Sequence, residues 1–189
     1  MATHANDGQL NTYWESNGHP AALTVRLGAN ADLSAVVVKL SPDAAWAKRT
    51  QTFEVLGREQ SSGGFTSLKA RAGYTFDPGS GGNTVTIPVT GRYADVRLDF
   101  THNSAGYGAQ VAELQVMGAA APNPDLVVSD LGWTPASPTE TDAVTVRATV
   151  RNTGSAASAA ATLDVSLEGT VAGSAPSARS PRAPPRPSP

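Results

Sequence analysis

Apolar residues recur at every second position in short runs along most of this chain, and that period dictates strands rather than helices. Leu23, Val25 and Leu27 alternate with Thr24 and Arg26, and Val36, Val38 and Leu40 repeat the pattern. Val85, Ile87 and Val89 do the same, followed by Ala94, Val96, Leu98 and Phe100. Successive strand side chains point to opposite faces, so each run buries one set and wets the other. Turn signals separate the runs: Asp7-Gly8, Asn17-Gly18, Gly63-Gly64 and the glycine-rich stretch 78–83. No segment keeps a helical apolar stripe for three turns. Short strands at regular spacing with polar loops predict an all-β chain built as a β-sandwich.

The pattern breaks at residues 119–124, where small residues and prolines cannot build a core and read as a linker. A second β pattern occupies residues 125–169. Val144, Val146, Ala148 and Val150 alternate with Thr and Arg there, and Leu163, Val165 and Leu167 form another run. So few patterned residues fall short of a whole sandwich, so this second domain reads as cut short. Residues 170–189 are rich in proline and carry no acid, and are expected to be a disordered tail. A change of character in mid-domain is what a shifted reading frame would produce.

Composition removes several function classes. Lys plus Arg number 14 against 16 Asp plus Glu, a net charge of −2, which leaves no positive excess to grip nucleic acid or an anionic membrane. With no cysteine, disulfides, thiolate metal sites and cysteine nucleophiles are all excluded. No apolar run is long enough to span a bilayer as a helix. The three histidines form no metal-binding or base-like cluster, and no nucleophile elbow or phosphate-binding loop occurs. The scattered acids single out no hydrolytic pair. The chain is therefore expected not to be an enzyme.

The opening segment is the most informative. Asp7, Gly8, Thr12 and Trp14, preceded by Ala5 and Asn6, match an A-x-D-G-x-x-x-T-x-W pattern. Leu23-Thr-Val-Arg-Leu27-Gly28, Arg49 to Val55, Ala94 to Leu98 and Val111 to Val116 follow in order. This series resembles the discoidin-like domain, or coagulation-factor type C domain, whose bacterial sugar-binding members form carbohydrate-binding module family 32. The resemblance implies a discoidin-like β-sandwich (a jelly roll, galactose-binding-domain-like) over residues 1–118. Members carry a first strand ahead of the Asp-Gly turn, and with six residues before Asp7 that strand is expected to be missing. The later stretch Pro124 to Pro135, with Val144-Thr-Val and Val150-Arg-Asn-Thr-Gly154, resembles the immunoglobulin-like CARDB domain. Only its first part is expected here, with Trp133 in its core.

The resemblance also implies a structural Ca²⁺ beside the Asp-Gly turn, because that ion takes six to eight hard oxygens. Asp7 and Glu113 would supply carboxylates, Thr12 a hydroxyl and carbonyl, and the 6–9 loop its carbonyls. An ordinary Asp-Gly turn with a solvent-facing Glu113 is the other reading of the same residues. A sugar site in such modules lies on loops at one end of the sandwich. A pyranose needs an aromatic platform with amides, acids or arginine in hydrogen-bond reach. The candidates are Glu15, Asn17 and His19 on the first loop; Asp43, Trp46, Lys48 and Arg49 on the second; and Asn103, Ser104, Tyr107 and Gln110 on the last. Trp46 sits in a polar loop and is the expected platform, the alternative being a ring that caps the sandwich end. Trp14 is expected in the core. Tyr107 is a second ring or a loop packer, and His19 and His102 suit surface roles as well as sugar contacts.

These residues point to a non-catalytic carbohydrate-binding module of a secreted bacterial protein, holding an attached polysaccharide-acting enzyme near its polymer. The expected partner is a polysaccharide or other glycan, bound by a monomer, with no nucleic acid and no membrane. An adhesion or spacer module, a fragment of a glycoside hydrolase, and a phospholipid binder are the competing readings.

Overall fold

A computed structural model describes residues 1–60 and 62–181. The chain divides into two compact units, Met1–Ala121 and Pro122–Pro189. Among the described residues the first unit holds seven strands: β1 (Trp14–Glu15), β2 (Ala21–Lys39), β3 (Arg49–Arg58), β4 (Thr66–Phe76), β5 (Thr84–Asn103), β6 (Gln110–Val111) and β7 (Glu113–Ala120). Its described residues also form two short 3-10 turns, Ala2–Ala5 and Pro78–Ser80. Among the described residues no helix is long and apolar enough to cross a membrane.

The runs around Val25 and Val38 are a single strand, and so are those around Ile87 and Leu98. The two long strands pair with each other in both halves, and each gains a second neighbour in one half only. Residues 21–26 of β2 pair with 95–100 of β5, which pairs on its other side with β3 and through it β4. Residues 31–39 of β2 pair with the start of β5 and with β7. Between Arg26 and Ala31 the register breaks, so that residues 27–30 of β2 oppose only Ala94 of β5. Such a bulge bends a strand sharply. The ladder β4-β3-β5-β2-β7 is thereby folded into two layers.

The inward rows follow the period-two pattern. Leu23, Val96, Leu98, Phe100, Phe53 and Val55 from one layer meet Val36, Val38, Ile87, Val89 and Leu114 from the other. Phe53 and Phe100 pack at 4.9 Å between ring centres, and Tyr74 stacks on Phe53 at 4.4 Å. Burying each such ring contributes ~1.5–3 kcal/mol. Trp14 lies against Phe100 at 6.0 Å, at the rim of the core. Strand β7 runs on through Ala119 and Ala120, paired with Asp32 and Ala31. The boundary therefore falls after Ala121 rather than at 118, because these small residues still complete a ladder.

The second unit holds β8 (Leu126–Thr134) paired with β9 (Thr145–Asn152), and β10 (Ala161–Leu167) paired with β11 (Thr170–Ser177). Strand β11 corrects the expectation of a disordered tail from residue 170. Glu168 and Gly169 both take left-handed φ, 50° and 82°, the conformation of a two-residue hairpin turn. That turn folds 170–177 back onto β10. The expectation for residues 182–189 lies outside the described residues. Trp133 corrects a second expectation: it is 54% exposed. Two-stranded sheets have too little apolar surface to close over such a ring. Val144, Val146, Leu163 and Val165 line an open trough of about 1150 Å³.

Candidate functional site

Three segments of the first unit converge on one cluster: the 13–19 loop with β1, the 41–49 loop, and the 103–110 loop. Strand β1 brings the first and last together, with Trp14 opposite Val111 and Glu15 opposite Gln110. Ser16 then locks the junction. Its N–H donates to the Ala109 carbonyl at 2.9 Å, while its Oγ accepts from the Ala109 N–H and donates to the Gly18 carbonyl, both at 2.8 Å. A Cβ on Gly108 would lie 2.0 Å from the Ser16 carbonyl oxygen, so only glycine lets the two loops meet this closely.

Beneath the loops lies a buried polar network. Gln51, fully buried on β3, accepts from the Gln110 N–H and donates to the Gln110 carbonyl, each at 2.8 Å. The Gln110 side chain accepts from the Arg49 guanidinium and, at 3.2 Å, from Asn103 Nδ2. Its Nε2 must then face Glu15, to which it donates at 2.9 Å. Asn103 also donates to the Gly108 carbonyl at 2.8 Å. Arg49 Nε donates to the Ala47 carbonyl at 3.0 Å. Burial draws the Arg49 pKa below its ordinary value, and the Glu15 charge partly opposes that shift.

Above the network stands Trp46. A turn presents it, with the Trp46 N–H donating to the Asp43 carbonyl and Asp43 Oδ1 capping the Ala45 N–H, both at 2.9 Å. Tyr13 meets the indole edge-on at 4.7 Å, and the Arg49 guanidinium lies over the same ring at 4.9 Å. The half-buried Trp46 packs on the core with one part and keeps another in solvent. Tyr107 is 79% exposed, its ring beside Gly18.

The structure thus brings Glu15, Trp46, Arg49, Asn103 and Gln110 together, and places Tyr107 on the same loop system. Arg49 and Asn103 are buried, so they organise the loops rather than line an open surface. Asn17 is exposed, and His19 is half-buried with both ring nitrogens enclosed and unpartnered among the described residues. Lys48 pairs with Asp77 at 3.4 Å, and Ser104 accepts the Thr50 N–H at 2.9 Å. His102 is exposed on β5. Tyr13 and Gln51 belong to the cluster without being among the sequence candidates. Alternation signals both: Tyr13 faces away from core-bound Trp14, and Gln51 shares the inward row of Phe53 and Val55.

A second cluster forms at the Asp-Gly turn. Asp7 accepts from Thr12 Oγ1 at 2.7 Å and from the Gln9 N–H at 2.9 Å, and the Thr12 bond foremost holds its carboxyl below the usual range. Glu113 is buried rather than solvent-facing, and accepts the Gly8 N–H at 2.7 Å. Among the described residues no three His, Cys, Asp or Glu side chains converge as metal ligands. A hard ion here would rely on two carboxylates with hydroxyl and carbonyl oxygens.

A two-layer β-sandwich of this build has the fold of a carbohydrate-binding module. The chain belongs to the family described as NedA-like, galactose-binding domain, whose model matches residues 4–98. A CARDB model matches residues 123–178. No curated protein matches the chain. Among solved structures, the family 32 module of AlyQ in complex with 4,5-unsaturated mannuronic acid is 21% identical, with a TM-score of 0.50, over 63% of this chain and 87% of that one. A pectin-binding module is 14% identical, with a TM-score of 0.51, over 64% and 82%. CpGH89 from Clostridium perfringens, in complex with GlcNAc-α-1,4-galactose, is 27% identical, with a TM-score of 0.50, over 61% of this chain and 12% of that one.

Proposed function

We propose that this chain is a monomeric, non-catalytic glycan-binding module that holds an attached polysaccharide-acting enzyme to its polymer outside the cell. The observation that carries this reading is Trp46, half-exposed and braced by Tyr13 and Arg49, with the carboxylate of Glu15 linked to the same Arg49 through Gln110. A pyranose stacks its C–H face on such a ring and hydrogen-bonds at its edge. The kinship with a module-bearing glycoside hydrolase supports the same reading. Weak monovalent binding suffices, because tethering raises the local concentration of the enzyme. The test is affinity electrophoresis of the full chain against a polysaccharide panel. Retention by at least one polymer is expected. A folded chain retained by none would favour a spacer role.

The donor set at Asp7, Thr12 and Glu113 fits a structural Ca²⁺, all its ligands being hard oxygens. The ion would neutralise two carboxylates and tie the opening turn to the start of β7. Saturating Ca²⁺ is expected to raise the melting temperature by about 10 °C over chelator, from ~2.7 kcal/mol of linkage at a hundredfold excess over Kd. Glu113→Gln should abolish the shift in a thermal scan.

A further inference from the structure

We infer that Glu15 is a specificity-determining residue that admits neutral sugars and rejects uronates, an inference that rests on the glycan-binding reading above. The charges around Trp46 carry the argument. Neither cation is turned to a ligand: Lys48 is paired with Asp77, and Arg49 is buried with its N–H groups given to the Ala47 carbonyl and Gln110. Each carboxylate is bonded to one neutral donor, Glu15 to the Gln110 amide and Asp43 to the Ala45 N–H, which leaves acceptor positions over. Glu15 and Asp43 are both exposed, and among the described residues neither forms an ion pair.

The orientation of the Gln110 amide sharpens this. Its oxygen is committed to Arg49 and Asn103, so its N–H₂ is the group presented to Glu15, and Glu15 is held as an acceptor. An ionised carboxylate has about four lone-pair positions, and Gln110 uses one at Oε1. The rest accept sugar hydroxyls, as short charge-assisted bonds. A neutral pyranose offers such O–H donors around its ring. A uronate replaces one of them with a like charge that neither Glu15 nor Asp43 can bind, while Lys48 is turned to Asp77 and the Arg49 guanidinium is buried, with its N–H groups given to the Ala47 carbonyl and Gln110.

Like charges about 5 Å apart at the surface cost enough to lower affinity by tenfold or more. The test compares the full chain on neutral polymers (galactan, glucan, galactomannan) and on polygalacturonate and alginate, with Glu15→Gln alongside. Wild type is expected to bind a neutral polymer, with little salt dependence, and to bind uronates at least tenfold more weakly. In Glu15→Gln, whose amide oxygen still accepts from Gln110, the neutral-to-uronate ratio should fall at least tenfold. Wild-type binding to uronates equal to that for neutral polymers would overturn the inference and leave the glycan reading standing. An unchanged ratio in Glu15→Gln would also overturn it. Binding to neither class would overturn the glycan reading itself.

Discussion

Trp46→Ala is expected to abolish retention on every polymer that holds the wild-type chain, a loss of at least ~30-fold or on the order of 2 kcal/mol. The substitution removes the apolar platform, and it also takes away the surface on which Tyr13 and Arg49 are braced. Because the indole packs partly on the core, stability should fall as well, by about 1–2 kcal/mol for a half-buried ring. Measuring both by calorimetry and thermal melting separates the two effects. A folded Trp46→Ala chain that binds as wild type would remove Trp46 from the site. Tyr13→Ala, which leaves the indole in place, should weaken binding several-fold only.

Gln51→Met is expected to be the most damaging single change in the network despite lying beneath the surface. Methionine keeps the length and volume of glutamine but offers no partner to the Gln110 N–H and carbonyl, which are both buried. Each orphaned group costs ~1–3 kcal/mol. A melting temperature lower by roughly 10–20 °C is the expected result. Glycan binding should fall with it, because Gln110 positions Glu15 and the loop bearing Tyr107 follows from the same anchor. A melting temperature within 2–3 °C of wild type would show that water replaces the amide.

How much of this was legible in the sequence depends on which physical signal each residue gives. The inward rows of β2, β3 and β5 follow from alternation, since Leu23, Val96, Leu98 and Phe100 are apolar where the period requires. Continuity was not legible: Gly28, Ala29 and Asn30 look like a loop between two strands, and the structure uses them as a bulge within one. Trp46 stood out because a polar loop has no core duty for so large a ring. Gln51 did not, because a polar residue in an apolar row reads as an exception until its partner, 59 residues away, is known. Arg49 and Asn103 read by type as loop residues in hydrogen-bond reach of a sugar, yet their burial depends on how three distant loops close. Strand β11 was hidden by composition, since its alanines and glycine carry no apolar period and only the Glu168-Gly169 turn betrays the hairpin.

The crossing of β2 and β5 between layers has a mechanical consequence. Most sandwiches are two boards glued face to face, and a shear force needs only to defeat the glue. Here the boards are joined by two uninterrupted lengths of backbone, so neither can be peeled off while the other keeps its pairing. Asn103 is the last residue of β5, and the loop it anchors therefore hangs from a main chain that continues into the opposite face. A drag applied where a polymer would be held is carried along covalent bonds through the whole body of the domain.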